Sequence, residues 1–377
     1  MVCQAAFWTS LALLAYTFLG YQWLIGILSR FRRPPAQPPP GPPPRATVVI
    51  VASNEAARIR SRVLNLLDTS AAVDILVCSD GSSDSTPSEA RLAGARVIEF
   101  PLRRGKASCL SDVIPTLDSP LVVLTDSRQQ FTPDTIPRLL RHFAHPAVGA
   151  VSGILRISDS ITPTGAGVNT YWRMETAIRQ AESDLDSCIG CTGAVYAIRA
   201  SLFRPIPPDT ILDDVVIPML IATQGSRVIY DNTAEAFDPQ PLDPATETRR
   251  KARTLAGNFQ MLFRYPSWLL PWRNRLALQL ISHKYLRLAG PLLLISALAS
   301  NALLLALPLY RAFFILQALL YILAAVGLAL PSLRLRLLSI PSGFLFLNMM
   351  TFQGFLRFAF GPRGGAWDKN AAPAQNP

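Results

Sequence analysis

Residues 74–86 read DILVCSDGSSDST. The apolar run 75–78 is bounded by turn residues and reads as a short buried strand. It ends on Asp80, and Gly81, Ser82 and Ser83 follow at once. Either serine suits the cap of a helix that runs through Glu89 and Arg91 and stops before Gly94. Residues 95–100, ARVIEF, then read as the next strand. The stretch is a β–α–β unit with a carboxylate at the carboxyl end of its first strand. In open α/β sheets ligands sit in the crevice outside those strand ends, where an acid can bond sugar hydroxyls or base N–H groups of a nucleotide. Asp-Gly is also a common turn pair, so an ordinary turn cap is the competing reading of Asp80.

The same alternation continues outward. Residues 47–52, TVVIVA, form a fully apolar strand, followed by Ser53-Asn54-Glu55 and a helical pattern through Ile59, Val63, Leu66 and Leu67. Arg103-Arg104-Gly105-Lys106 opens a helix that extends to Leu117. Residues 121–124, LVVL, form a strand ending at Thr125-Asp126, and Thr132-Pro133-Asp134 supplies an N-cap, a helix-first proline and a first-turn acid. Strands are expected at 148–151, 194–198 and 228–230, and helices at 168–185 and 215–223, the last stopped by Gly225. Strands alternating with helices predict a three-layer α/β fold with a mostly parallel sheet.

Acids recur at equivalent places. Asp80 and Asp126 each end an apolar strand, Glu55 follows another, and Asp213-Asp214 opens a helix after Ile211-Leu212. They describe one electronegative crevice. Such a crevice repels a nucleotide diphosphate unless a cation is present. The cation is either a divalent metal held by oxygen ligands or a basic side chain, with Lys106, Arg104 and Arg128 as candidates. Lys106, near a helix start, would also bring backbone N–H groups to a phosphate.

The flanks are different in kind. The chain has 377 residues, is 50% hydrophobic and only 16% charged, and the apolar excess sits in a few blocks. Residues 5–28 carry no charge and match the ~20 residues that span a bilayer, with Trp8, Tyr21 and Trp23 suited to its interfaces. Arg30, Arg32 and Arg33 follow this block, which favours an uncleaved anchor over a signal peptide and sets the next domain in the cytoplasm. Residues 34–44, PPAQPPPGPPP, form a stiff polyproline linker. Blocks 288–310 and 312–331 are long enough to span. Block 337–360, interrupted by Pro341, Gly343, Asn348, Gln353 and Arg357, crosses, lies in the interface or re-enters. His283, Lys284, Tyr285 and Arg287 read as interfacial anchors. The expected divisions are an anchor at 1–30, a linker at 31–45, a catalytic domain at 46–262, an interfacial segment at 263–287, a membrane region at 288–360 and a polar tail at 361–377. Cys188-x-x-Cys191 lacks the second pair of a zinc site and reads as buried small residues. The net charge of +11 suits anionic lipid or phosphate. No basic–aromatic repeat points to nucleic acid.

With these motifs in order, residues 46–260 resemble a family 2 glycosyltransferase of GT-A fold, an inverting transferase that uses a nucleotide-sugar donor. VVIVASNE at 48–55 resembles the family's opening strand and Asn-Glu turn. VCSDGSSDST at 77–86 resembles the motif whose first Asp, here Asp80, binds the base. RRGKASCL at 103–110 resembles the Gly-Lys-Ala helix start, LVVLTDSRQQFTPD at 121–134 the DxD strand, and ILDDVVI at 211–217 the segment carrying the general base, here Asp214. The resemblance implies donor contacts from Glu55, Asp80, Lys106, Asp126, Arg128 and Arg253. Asp213 is expected on the acceptor side; Gly193, in the loop GCTG, either lets the backbone approach an acceptor closely or forms a tight turn, and Trp172 either walls the acceptor site or fills core. The resemblance also implies Mg²⁺ or Mn²⁺ held in part by Asp126, a UDP-linked donor, and a glycan or lipid acceptor at the inner membrane.

The flanking apolar helices resemble those of membrane-bound polysaccharide synthases. Two motifs depart from the family. The second acid of DxD is Arg128, which either neutralises the diphosphate in the metal's place or turns away into a structural salt bridge. In RRKARTLAG at 249–257, Arg250 and Thr254 stand where processive synthases carry the Gln and Trp of Gln-x-x-Arg-Trp. Alternatives to a cell-envelope transferase are a polyprenyl-phosphate glycosyltransferase and a non-catalytic nucleotide-sugar sensor.

Overall fold

The computed structural model of the protein describes residues 1–32, 44–157, 165–238, 244–330 and 335–361. The chain divides into two compact units, one built from Met1–Ala36, Ile157–Ile189 and Gln240–Gly361, the other from Gln37–Arg156 and Gly190–Pro239.

The second unit is α/β. Its strands are β1 (Ala46–Ala52), β2 (Val73–Asp80), β3 (Arg96–Phe100), β4 (Leu121–Thr125), β5 (Gln130–Phe131), β6 (Val148–Ile157), β7 (Tyr196–Arg199) and β8 (Arg227–Asp238). They make one sheet in the order β3-β2-β1-β4-β7-β6-β8-β5. β1 pairs in parallel with β2 and β4, and β2 with β3. β7 runs antiparallel to β4 and β6, and β5 antiparallel to β8. The apolar runs are continuous because these strands are covered on both faces. Val48, Ile50, Val77 and Val123 pack with Ile59, Val63 and Leu66 of the helix Ala56–Leu67 and with Ile136, Leu139 and Leu140 of the helix Thr135–Arg141. The register Ile50↔Val77 and Ile50↔Thr125 sets the carboxyl ends of β1, β2 and β4 along one edge.

Several boundaries differ from the sequence reading. Neither Ser82 nor Ser83 caps the helix after β2. That helix is Thr86–Leu92 with Ser85 at its N-cap, and Asp84 Oδ1 accepts the Thr86 N–H at 3.0 Å. The serines bond Asn54 instead. The helix opened by Lys106 ends at Val113, where Pro115 tightens the chain into a 3₁₀ turn. Asp134, not Thr132, is the cap of Thr135–Arg141.

The first unit is helical. Val2–Ser29 and Pro308–Ala329, of 28 and 22 residues, are long and apolar enough to cross a membrane. Block 288–310 is not one span: Gly290–Ala302 ends before a turn, and Pro308 opens the next helix. Gly290–Ala302 passes the same test only together with Ala277–Leu288, from which it bends by 60°. Arg336–Phe360 is 25 residues long, but Asn348, Gln353 and Arg357 keep it out of that class. It packs on Pro244–Arg264 so closely that a Cβ on Gly354 would lie 2.5 Å from Leu255 Cβ.

The expected interfacial anchors Tyr21 and His283 are buried instead, both 1% exposed. Tyr21 donates to Glu182 Oε1 at 2.6 Å. His283 Nδ1 lies 2.9 Å from the same oxygen, and His283 Nε2 lies 3.0 Å from Glu175 Oε1. Arg287 donates to Glu175 Oε2 at 2.9 Å. An imidazole with both nitrogens on carboxylates must carry both protons, so the cluster holds a buried charged pair. Sequence periodicity marks these positions as polar but does not say that they converge. His283→Leu leaves the buried Glu182 carboxylate without the imidazolium it faces and is expected to destabilise the protein by about 3–5 kcal/mol, read as a lowered denaturation midpoint in detergent.

Candidate active site

The site lies wholly in the α/β unit, at the carboxyl edge of β1, β2 and β4. The loops after β1 and β2 are knitted together before any ligand arrives. Asn54, a non-glycine residue at φ 53°, accepts the Ser83 N–H at 2.8 Å through its side-chain oxygen. Glu55 N–H donates to Thr86 Oγ1 at 2.8 Å, and Ala56 N–H to Asp84 Oδ2 at 3.1 Å. Asp84 is held below the usual carboxylate range: burial opposes this, and hydrogen bonds from Thr86 and Ala56 outweigh it. These bonds present Glu55 to a crevice that Asp80, Arg103, Lys106 and Asp126 also line.

Asp80 is 4% exposed, and both of its oxygens accept backbone N–H groups, from Arg104 at 2.6 Å and Gly105 at 2.8 Å. It therefore pins the loop that delivers Lys106. Gly81 makes the approach possible. At φ +60° it sits against that loop, where a Cβ would strike the Arg103 amide nitrogen. The Arg104 side chain turns to Asp112, at 2.7 Å, and over the Phe100 ring. Only its amide belongs to the site.

Lys106 Nζ lies 3.0 Å from Asp126 Oδ1 and 3.3 Å from Asp213 Oδ2. Burial pulls this ammonium down, but Asp126, Asp213 and Asp214 together hold it above the ordinary lysine range. Asp213 and Asp214 open the helix Asp213–Thr223, whose N-terminus favours anions. Asp214 is partly exposed and accepts the Gly193 N–H through Oδ2 at 3.1 Å. A Cβ on Gly193 would lie 2.8 Å from that oxygen. A side chain at this position of the GCTG loop would displace the Asp214 carboxylate.

Of the other expected residues, Arg128 forms an ion pair with buried Asp238, the structural salt bridge of the two readings left open by the sequence. It does not line the crevice that holds Asp80 and Lys106. Arg253 stands on Pro244–Arg264 in the helical unit. The side chain of Trp172 lies outside the described residues. Cys188 and Cys191 are buried. Two residues escaped the sequence reading. Arg103 lines the crevice, although Arg104 and Lys106 beside it drew the attention. Tyr196, on β7, is fully buried, with a hydroxyl that has no hydrogen-bond partner among the described residues. Burial first, then Asp213 and Asp214, push its phenol well above the usual tyrosine value. It read as a core residue of an apolar strand, and no pattern marks which face of a short central strand meets the acids.

The donor set fits a divalent metal poorly. Asp126 already holds Lys106, the second acid of the motif is an arginine engaged elsewhere, and among the described residues no three His, Cys, Asp or Glu side chains group as metal ligands.

Two outcomes follow from this geometry. Gly193→Ala crowds Asp214 and is expected to lower turnover at least about tenfold, with the melting temperature changed by only a few degrees. Lys106→Met leaves buried carboxylates without their cation and is expected to cost about 2–4 kcal/mol at pH 7. Because Lys106 is raised in the folded state, its contribution is complete below the unfolded lysine value of about 10.4 and fades as pH climbs above it. The gap between wild type and variant in denaturant titrations should shrink only above that pH.

Residues 47–206 match the family model described as glycosyl transferase family 2. No curated protein sequence matches the chain. Among solved structures, the mannosyltransferase from Pyrobaculum calidifontis, determined with GDP-Man and Mn²⁺, superposes with a TM-score of 0.70. It is 23% identical, over 93% of this chain and 98% of its own. Glucosyl-3-phosphoglycerate synthase from Mycobacterium tuberculosis is 17% identical over 64% of this chain and 82% of its own, with a TM-score of 0.40, too low to build on. The α/β unit, with its acids along one sheet edge, therefore has a GT-A-like fold, and its residues 47–206 are similar to glycosyltransferase family 2.

Proposed function

We propose that the protein is an inverting glycosyltransferase that moves a sugar from a nucleotide-diphosphate donor to a cell-envelope glycan or lipid-linked acceptor at the inner face of a membrane. The observation that carries this reading is the partly exposed Asp214, held by the Gly193 N–H beside the Lys106–Asp126–Asp213 cluster. It supplies a base and a cation at the sheet edge where this fold binds its ligand.

In this reading the nucleoside lies against Glu55 and Asp80, and Lys106 faces the diphosphate. The acceptor hydroxyl attacks the anomeric carbon from the side opposite the diphosphate. One C–O bond forms as the C–O bond to the diphosphate breaks, and the electron pair of the broken bond leaves with the diphosphate. Asp214 takes the hydroxyl proton. The Gly193 N–H and the helix N-terminus both favour the ionised carboxylate that this step needs. Lys106 stabilises the charge that grows on the leaving group. Asp213, Gly193 and Trp172 are assigned to the acceptor side, and Arg253 to the diphosphate as in the family segment it resembles. A divalent metal would be held in part by Asp126, and no step is derived through it, because the donor set there fits it poorly.

The arginines beside the first apolar helix support a cytoplasmic α/β unit. The two apolar helices also suit the second reading, a polyprenyl-phosphate glycosyltransferase. In that case the radiolabelled product would partition into organic solvent. UDP-linked donors are expected first, and GDP-mannose joins the panel because the structural neighbour binds it.

Nucleotide release by the detergent-purified chain, measured with such donors, tests the assignment. Asp214→Asn should keep its fold and bind donor within about twofold, but lose transfer by about 10²–10⁴-fold. Near-full activity in that variant would sink the base assignment, and donor binding without turnover in wild type would favour a sensor.

A further inference from the structure

The charges around Asp126 carry an inference that rests on the donor-site reading above. Two buried cations hold the strand end that carries Asp126. One is Lys106, with Nζ 3.0 Å from Oδ1 and a side chain only 10% exposed. The other is Arg62, on the helix Ala56–Leu67, 1% exposed. Its guanidinium donates to Asn65 Oδ1 at 2.6 Å and to Thr125 Oγ1 at 2.8 Å, and stacks 4.2 Å from the centre of the Phe131 ring. None of these partners is charged, and its Nε has no hydrogen-bond partner among the described residues. Burial pushes Arg62 down to about 9, with Asp126 acting in the opposite direction, which leaves it charged at neutral pH. A buried cation without a carboxylate in contact is costly to keep. The carboxylate that its field reaches is Asp126, one residue beyond the Thr125 hydroxyl that it grips.

The acid that would complete a metal site is missing for a reason visible in the fold. Position 128 is an arginine, and it is ion-paired with buried Asp238 at the end of β8. A dication arriving at Asp126 would find a carboxylate already paired and would be repelled by both Lys106 and Arg62. A diphosphate arriving there meets the same charges as attraction.

We propose that the negative charge of the donor diphosphate is met by cations built into the chain, with Lys106 in contact and Arg62 fixing the strand end that carries Asp126, so that nucleoside diphosphate binding requires no divalent metal. Lys106 is then a catalytic residue, and Arg62 a positioning residue that acts through Asp126.

The test is binding of UDP, GDP, CDP, TDP and ADP to the full chain in detergent, by calorimetry, in EDTA and in millimolar Mn²⁺. The tightest nucleotide should bind wild type equally in the two buffers, within about threefold. Lys106→Ala should bind it at least about tenfold more weakly in EDTA and recover in Mn²⁺, because Asp126 and Asp213 are then released to the metal. Arg62→Met should bind Mn²⁺ that wild type does not, seen by electron paramagnetic resonance, and Arg62→Lys should restore wild-type behaviour. A merely structural Arg62 would lower the melting temperature and leave Mn²⁺ binding unchanged, which overturns its part. Wild-type binding that collapses in EDTA and returns with Mn²⁺ overturns the proposal while leaving the transferase reading intact. That comparison decides even if the variants fail to fold. Binding of no nucleotide in either buffer overturns the donor site and the proposal with it.

Discussion

The ion pairs of Lys106 with Asp126 and Asp213 are what the rest of the α/β unit is arranged to produce. They join the end of β4, the start of Lys106–Val113 and the start of Asp213–Thr223 at one point. Two unit charges near 4 Å attract by about 4 kcal/mol at the effective dielectric of a protein surface, and burial takes back much of this. The pairs therefore hold only if the groups arrive already placed. Asp80 delivers the lysine by gripping the Arg104 and Gly105 amides, and Gly81 lets that loop come close. Thr125, held between Arg62 and the Ala194 carbonyl, fixes the strand end that carries Asp126.

The parallel part of the sheet was legible because β1, β2 and β4 are apolar runs followed by an acid and a turn. Strand position then fixed the crevice: Asp80, Asp126, Asp213 and Asp214 fall where the alternation puts them. What the sequence could not convey depends on contacts remote in the chain. Arg128 and Asp238 are 110 positions apart, and they meet through the pairing of β5 with β8. β5 has two residues, too few for a periodicity to register. The serines after Gly81 look like caps, but Asn54, from the neighbouring loop, captures them first. Block 288–310 reads as one span by hydropathy because hydropathy does not register the turn before Pro308. Tyr21 and His283 read as membrane anchors by residue type, yet Glu182 draws both inward.

The acids of the site look alike in sequence and are separated by what neutralises them. Asp80 is satisfied by two backbone N–H groups and buried, which suits a group that shapes a loop and offers only its remaining lone pairs to a ligand. Asp126 and Asp213 share a lysine, so their charge is already balanced in part and they set the field of the edge. Asp214 accepts the Gly193 N–H through Oδ2 and stays partly exposed. A carboxylate that is to take a proton must be ionised beforehand and reachable from solvent or substrate. Among these four acids, Asp214 combines partial exposure with a backbone N–H bond at the start of a helix. The assignment of the base thus follows from the partners of each acid, and Gly193, by admitting no side chain beside Oδ2, is the residue that keeps that distinction in place.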